Sequence, residues 1–187
     1  GVWWFRLALE RSIGEQNIEC VGFSEIDKFA KSVYLHHWPQ TTDLGDISGI
    51  DIEGLPDFDL LTGGFPCQDV SVAGKQDLDN GRTILVEYLL RILEQKQPKW
   101  FVFENVKGIL GSKFETFFNS ILERIQGAWY TVKYKVLNTK NFGLPQNRER
   151  VFLVGNNTGK SITYPDPIEL KHKLPYYLDR NVEDKYY

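Results

Sequence analysis

The sequence is poor in cysteine, and its two thiols lie far apart. Cys20 and Cys67 form no Cys-x-x-Cys pair and have no histidine at zinc-ligand spacing. No metal site is therefore predicted, and a disulfide between the two is disfavoured. The chain also lacks a hydrophobic run long enough for a membrane span, and it lacks a signal-peptide pattern. These absences predict a soluble, cytoplasmic protein with reduced thiols and no membrane partner.

Positive charge is not in excess either. The 187 residues include 25 acidic and 22 basic side chains, which gives a formal net charge of −3. Because charge alone does not point to a polyanionic partner, the composition argues against autonomous binding of nucleic acid. With 42% hydrophobic residues the chain is long enough to bury one sizeable core. A single globular domain is the default expectation.

The hydrophobic pattern alternates between strand and helix signals along the chain. Strands are predicted over residues 18–26, 58–65, 99–106, 129–138 and 150–156. Helices are predicted over residues 27–38, 83–98 and 113–127, the last of them capped by Gly127. This alternation predicts an α/β fold with an open, mostly parallel, Rossmann-like sheet and helices on both faces.

Three polar clusters follow predicted strands at their carboxyl ends, where ligands of such sheets bind. They are Glu25, the sequence Pro66-Cys67-Gln68, and Glu104 with Asn105. We expect the three clusters to converge on one crevice. Taken alone, each has a structural alternative, since a buried cysteine packs as a small hydrophobe and a strand-end glutamate can serve as a helix-cap partner.

Several motifs occur in one order along the chain. They are GVWWFRLALE at residues 1–10, SEIDKFA at 24–30, GDI at 45–47, GFPCQDVSVAGK at 64–75, FVFENVKGIL at 101–110 and NFGLPQNRERVFLVG at 141–155. Together they resemble the cytosine-C5 DNA methyltransferases, and the resemblance runs from the first residue to about residue 165. It implies the S-adenosylmethionine-dependent methyltransferase form of the sheet. It also implies transfer of a methyl group from S-adenosylmethionine to carbon 5 of cytosine in DNA.

The resemblance implies four catalytic residues, which are Cys67, Glu104, Arg148 and Arg150. A cytosine ring is too weak a carbon nucleophile to take a methyl group directly, so the Cys67 thiolate is expected to add to ring carbon 6 first. Glu104 is expected to donate a proton to ring nitrogen 3 in a flipped-base pocket, which neutralises the charge that thiolate attack creates. Substrate contacts are implied for Gln68, Asn105 and Gln146.

For the cofactor, the resemblance implies contacts from Gly1, Phe5, Glu25, Ile26, Asp46, Ile47, Phe65 and Pro66. Glu25 follows Gly1 at about the spacing at which nucleotide-binding α/β folds place an acid on the ribose hydroxyls. Asp46 is expected to accept from the adenine amine. Trp3 and Trp4 stand where the family has small residues in a glycine-rich loop, so we expect a positive-φ cost and weaker cofactor binding there.

Residues 1–165 are predicted to form the catalytic domain, without the family's first strand, and residues 166–187 to form an extension toward a target-recognition region. Neither that region nor the family's last cofactor motif is found in the sequence. The implied partners are double-stranded DNA with a flipped cytosine and a complementing chain that carries the target-recognition region. Two alternatives stay open. One is a catalytically impaired or truncated relative with weak cofactor binding, and the other is a nicotinamide oxidoreductase, which leaves the Pro-Cys-Gln and Gln-x-Arg-x-Arg motifs unexplained.

Overall fold

The structure is a computed structural model, and it describes residues 3–65, 84–171 and 174–176 of the chain. The described helices are α1 (Trp3–Ile13), α2 (Lys28–His37), α3 (Ile84–Lys96) and α4 (Glu115–Gly127). The described strands are β1 (Leu60–Gly64), β2 (Trp100–Val106), β3 (Thr131–Asn138) and β4 (Glu149–Asn156). Short 3-10 turns lie at Glu15–Asn17, Ile47–Gly49, Lys107–Leu110, Ser112–Phe114, Thr139–Asn141 and Leu174–Tyr176.

The four described strands form one sheet in the order β1-β2-β4-β3. β1 and β2 are parallel, and the connection between them contains α3. β4 is antiparallel to both of its neighbours, and it forms a hairpin with β3 through residues 139–148. The predicted α/β class is confirmed, and the sheet among the described residues is mixed.

The main hydrophobic core lies on one face of the sheet, and α3 and α4 cover that face. β2 alternates between buried and half-buried positions, and Phe101 and Phe103 are fully buried on the core side. This is the period of two that a strand imposes on its side chains. Leu93 of α3 and Ile125 of α4 are also fully buried in the same cluster. The opposite face of β2 therefore carries the residues that can serve a site.

A second hydrophobic cluster joins α1 to α2. Its buried members are Phe23, Tyr34 and Trp38, and Trp3 packs against them. The guanidinium of Arg6 in α1 lies 4.7 Å from the ring centre of Trp38. This cluster anchors the N-terminal part of the described chain through α2.

The strand predicted over residues 18–26 does not form. Among the described residues, the segment makes one parallel bridge, between Phe23 and Asp43. The Phe23 N–H donates to the Thr42 carbonyl, and the Leu44 N–H donates to the Phe23 carbonyl. The strand prediction was wrong because a strand needs a continuous ladder of backbone partners, which the pattern of its own side chains cannot supply. The other four predicted strands and the three predicted helices are present.

The predicted placement of Trp3 and Trp4 in a glycine-rich loop is also wrong. Both residues lie in the first turn of α1, where their rings stack with centres 3.8 Å apart. Among the described residues, positive φ occurs outside glycine only at Gln97 and Trp129. The expected positive-φ cost at the two indoles is therefore absent.

The predicted cap of α4 needs a smaller correction. Gly127 is the last helical residue, and the capping position is taken by Ala128. The left-handed conformation that usually favours glycine falls on Trp129, with φ at 67°.

No helix among the described residues is long and apolar enough to cross a membrane.

Candidate functional site

Glu104 and Arg150 meet at the carboxyl end of β2, on the face away from the main core. β2 and β4 are paired with Glu104 opposite Phe152, and Arg150 lies two residues before Phe152 on the same face. The Nε of Arg150 lies 2.7 Å from Oε1 of Glu104, and both side chains are about three quarters buried. The structure thus brings the predicted acid and one predicted arginine into direct contact.

Gly64 leaves the space that Glu104 occupies. It is the last residue of β1 and is the register partner of Glu104 in β2. A Cβ at Gly64 would stand 3.1 Å from Oε2 of Glu104. This role of Gly64 was not predicted from the sequence, although the pair of glycines at the end of the predicted strand is a usable signal.

Asn105 points to the core side of β2 and is 1% exposed. Its Oδ1 accepts the N–H of Val106 at 2.8 Å, and its Nδ2 has no hydrogen-bond partner among the described residues. A buried amide donor without a partner is costly, so Asn105 carries an unpaid desolvation cost beside the site among the described residues. The predicted substrate contact of Asn105 stays a prediction.

A second ion pair joins the same strand ends. Lys107 follows β2, and its Nζ lies 3.1 and 3.0 Å from the two carboxylate oxygens of Glu149. Glu149 stands between the two predicted arginines in the sequence, and Arg150 Nη1 also donates to the Glu149 carbonyl at 2.8 Å. Both arms of this pair are about half exposed, so it stabilises the strand ends only weakly.

Arg148 and Gln146 lie in the loop before β4, and both are exposed. The Arg148 N–H donates to the Gln146 carbonyl at 3.1 Å, and the Arg148 carbonyl accepts the Thr139 N–H at 3.1 Å. Arg148 therefore precedes the strand, whereas Arg150 lies within it. Of the two arginines, the structure brings only Arg150 into contact with Glu104.

Two of the predicted cofactor residues, Glu25 and Asp46, are brought to one place by neighbouring extended segments. The parallel bridge between Phe23 and Asp43 aligns the segments, and Ser24 Oγ donates to the Gly45 carbonyl at 2.7 Å. Glu25 and Asp46 each follow these contacts by one residue. Two carboxylates at such a place suit the hydroxyl and amine donors of a nucleoside.

Both carboxylates also bind their own backbone. Glu25 Oε1 accepts the Asp27 N–H at 3.0 Å, just before α2, and Asp46 Oδ1 accepts the Ser48 N–H at 2.9 Å. The hydrogen bonds from Ser48 hold the pKa of Asp46 below its usual value. The local role considered for Glu25 in the sequence is thus observed, and the second carboxylate oxygen of Glu25 makes no observed hydrogen bond among the described residues.

Apolar residues lie next to these carboxylates. Ile26 is 71% exposed, which leaves its side chain open to cover by a purine ring. Ile47 packs against the main core, to which buried Phe65 also belongs. Phe5 lies half-buried in α1. The described residues therefore fit a nucleoside, with oxygen acceptors beside an exposed apolar side chain.

The remaining predicted site residues lie outside the described residues. They are Gly1, Pro66, Cys67 and Gln68. In the described part of the chain, no three His, Cys, Asp or Glu side chains come together as a group that could hold a metal ion.

Comparison with known proteins places the chain in a family. Residues 1–185 match the family described as C-5 cytosine-specific DNA methylase. The Type II methyltransferase M.NgoBI of Neisseria gonorrhoeae is 42% identical over 167 residues, which cover 88% of this chain and 52% of that protein. The chain spans about half, or less, of the length of the curated relatives that it matches.

Solved structures share the fold. The methyltransferase EhMeth of Entamoeba histolytica superposes with a TM-score of 0.75 at 25% identity, over 96% of this chain and 57% of that one. A DNMT2 variant of Spodoptera frugiperda gives a TM-score of 0.70 at 24% identity, over 89% of this chain and 54% of that one. The chain belongs to the C-5 cytosine-specific DNA methylase family.

Proposed function

We propose that this chain transfers a methyl group from S-adenosylmethionine to carbon 5 of cytosine in double-stranded DNA. The observation that carries the proposal is the ion pair between Glu104 and Arg150 at the carboxyl end of β2. The two residues come from separate motifs, 46 positions apart in sequence, and they meet at the sheet edge where ligands of α/β folds bind.

S-adenosylmethionine is the cofactor of the family to which the chain belongs. When bound, it supplies an activated methyl group. Glu25 and Asp46 are the residues that would hold its hydroxyl and amine groups, and Ile26 would cover its purine ring. These assignments rest on the position and exposure of the three side chains. Phe5, Ile47 and Phe65 are proposed as further contacts.

Cys67 is proposed as the nucleophile. Its thiolate forms a bond to ring carbon 6 of cytosine, and the electron pair of the carbon 5–carbon 6 double bond moves toward the ring nitrogen and carbonyl. Carbon 5 then takes the methyl group. The electron pair of the broken sulfur–methyl bond stays on the sulfur that gave up the methyl group. A solvent base then takes the proton from carbon 5, and the electron pair of that carbon–hydrogen bond restores the double bond as the thiolate leaves.

Glu104 is proposed to bind the Watson-Crick edge of the flipped base, with Arg150 beside it. In the structure Glu104 is an ion-pair acceptor, and a carboxylate in that state has no proton to donate. Protonation of ring nitrogen 3 therefore requires that Glu104 first take up a proton, and Arg150 is free to turn to the base carbonyl at that moment. Arg148, Gln146, Gln68 and Asn105 are proposed as further contacts to DNA.

The proposed partners are double-stranded DNA with the target cytosine flipped out and a complementing chain that carries a target-recognition region. Residues 1–165 are proposed as the catalytic domain, residues 166–187 as an extension, and the cytoplasm as the place of action. We call this chain, either alone or together with that complementing chain, the active assembly. The alternative of an impaired cofactor site was based on the expectation that Trp3 and Trp4 lie in a glycine-rich loop. Both residues lie in α1, so this reason for weak cofactor binding no longer applies.

Substrate trapping tests the proposal. DNA with 5-fluorocytosine at the target position is incubated with the active assembly and S-adenosylmethionine, and a denaturant-stable adduct is expected on Cys67, because fluorine cannot leave as a proton does. The Cys67→Ala variant should form no adduct and transfer no methyl group. Cys20→Ala is the matched control, since the Cys20 thiol lies 3.5 Å from the Tyr34 hydroxyl in the α1–α2 cluster. Full activity of Cys67→Ala, or an adduct on Cys20, would refute the mechanism.

A further inference from the structure

Hydrogen bonds from a buried asparagine, Asn138, hold the loop between β3 and β4, residues 139–148. Asn138 is the last residue of β3 and is 8% exposed. Its Nδ2 donates to Oδ1 of Asn147 at 2.8 Å, and its Oδ1 accepts the N–H of Lys140 at 3.2 Å. Both polar ends of the amide are therefore satisfied within the loop that carries Arg148.

Thr139 closes the same loop from the adjacent position. Its N–H donates to the Arg148 carbonyl at 3.1 Å, and its Oγ1 donates to the Gln146 carbonyl at 2.5 Å. Together with the amide of Asn138, these bonds tie the start of the loop to each of its last three residues. The backbone of Arg148 is thereby held before β4 begins.

A buried amide is costly unless its hydrogen bonds are made, and an apolar residue at the end of a strand would pack without that risk. Asn156 at the end of β4 shows the same arrangement at the opposite end of the sheet. It is fully buried, its Nδ2 donates to the Lys160 carbonyl at 3.0 Å, and its Oδ1 accepts the Thr158 N–H at 3.0 Å. The loop that Asn156 bonds to contains no proposed site residue. The loop that Asn138 bonds to contains Arg148 and Gln146.

We infer that Asn138 is a positioning residue for methylation, which acts by fixing the loop that presents Arg148 and Gln146 to DNA. The inference rests on the proposed function. The Arg148 side chain is exposed and has no ion-pair partner among the described residues, so its guanidinium is available to a phosphate or a base. A backbone that is already fixed lowers the ordering cost when such a long side chain binds.

The test compares Asn138→Ala and Asn147→Ala with Asn156→Ala in the active assembly. Asn147 is exposed, so its variant removes the acceptor of the Asn138 amide without removing a buried side chain. We expect both loop variants to raise KM for DNA about three- to tenfold, the range that the loss of a hydrogen bond gives. Asn156→Ala should lower the melting temperature and leave KM for DNA within about twofold.

Hydrogen exchange at the backbone separates this inference from the proposed function. The N–H groups of Thr139 and Lys140 should exchange faster in Asn138→Ala than in Asn156→Ala when the two variants are compared at equal distance below their melting temperatures. Equal protection in the two variants, or an unchanged KM for DNA in Asn147→Ala, would overturn the positioning role. A parent assembly that does not methylate DNA refutes the proposed function, and the exchange rates then still decide whether Asn138 fixes the loop.

Discussion

Gly64 of β1 stands directly opposite Glu104 of β2, and a Cβ at Gly64 would lie 3.1 Å from Oε2 of that glutamate. Its neighbour Gly63 faces the other side of the sheet, where a Cβ would lie 2.8 Å from Leu89 in the main core. The two adjacent glycines therefore leave space on opposite faces of the sheet. Gly64 leaves space for the Glu104 carboxylate, and Gly63 leaves space for Leu89 in the core.

This pair gives a matched comparison. Gly64→Ala should displace the Glu104 carboxylate by a few tenths of an ångström and lower the methylation rate about tenfold, with little change in stability. Gly63→Ala should instead cost about 1–3 kcal/mol of unfolding free energy through overpacking. Initial rates and thermal melting of both variants check this. The prediction is contradicted if the two variants have the same methylation rate and the same melting temperature.

Glu104→Gln tests the proton donor. The amide keeps the shape of the side chain but cannot supply an acidic proton, so the rate of methyl transfer should fall by at least about 10²-fold. Binding to DNA should survive. The control is Glu149→Gln, which breaks the exposed ion pair with Lys107 and should change stability by about 1 kcal/mol or less. A parental rate in Glu104→Gln would move the proton transfer to another group.

The two N-terminal indoles should differ in what they stabilise. Trp3 packs against the Phe23, Tyr34 and Trp38 cluster, whereas Trp4 is 60% exposed. We expect Trp3→Ala to cost about 1–2 kcal/mol of unfolding free energy through lost apolar burial, and Trp4→Ala to cost about 0.5 kcal/mol or less. Chemical denaturation measures both. A gain in cofactor affinity on removal of either indole would revive the sequence-based expectation of a crowded cofactor loop.

Alkaline pH should weaken the fold through Tyr130. Desolvation raises the pKa of the buried Tyr130 hydroxyl from 10.0 to about 12, and that hydroxyl donates to the Pro98 carbonyl at 2.6 Å. Between these two pH values the unfolded chain has lost the proton and the folded chain has kept it, so stability falls as pH rises through that window. Below pH 10 the contribution is fully present.

Unfolding free energies measured from pH 9 to 12 test this dependence. Tyr130→Phe should show a shallower fall than the parent. Tyr134→Phe is the control, because Tyr134 is 48% exposed on β3. An identical pH slope in Tyr130→Phe and in the parent would show that Tyr130 does not carry the effect.

The sequence by itself determined the elements whose signal is local. The alternation of apolar residues in β2 and the helical spacing in α3 predict their structures because one face of each must be buried. The order of the motifs likewise predicted the family, and with it Glu104 and Arg150 as members of one site together with Cys67 and Arg148. A local pattern is sufficient in these cases, since side-chain periodicity is set by backbone geometry alone.

Only the tertiary structure decided the features that depend on a partner. The segment around Phe23 has a strand-like pattern but forms one bridge among the described residues. The helix that contains Trp3 and Trp4 packs through Trp3 against Phe23, Tyr34 and Trp38, while Trp4 is exposed. The placement of Gly64 opposite Glu104 and the hydrogen bonds of Asn138 to its loop likewise depend on the tertiary structure. Each is fixed by strand register, which brings together residues far apart in the chain and is set by the packing of the whole sheet.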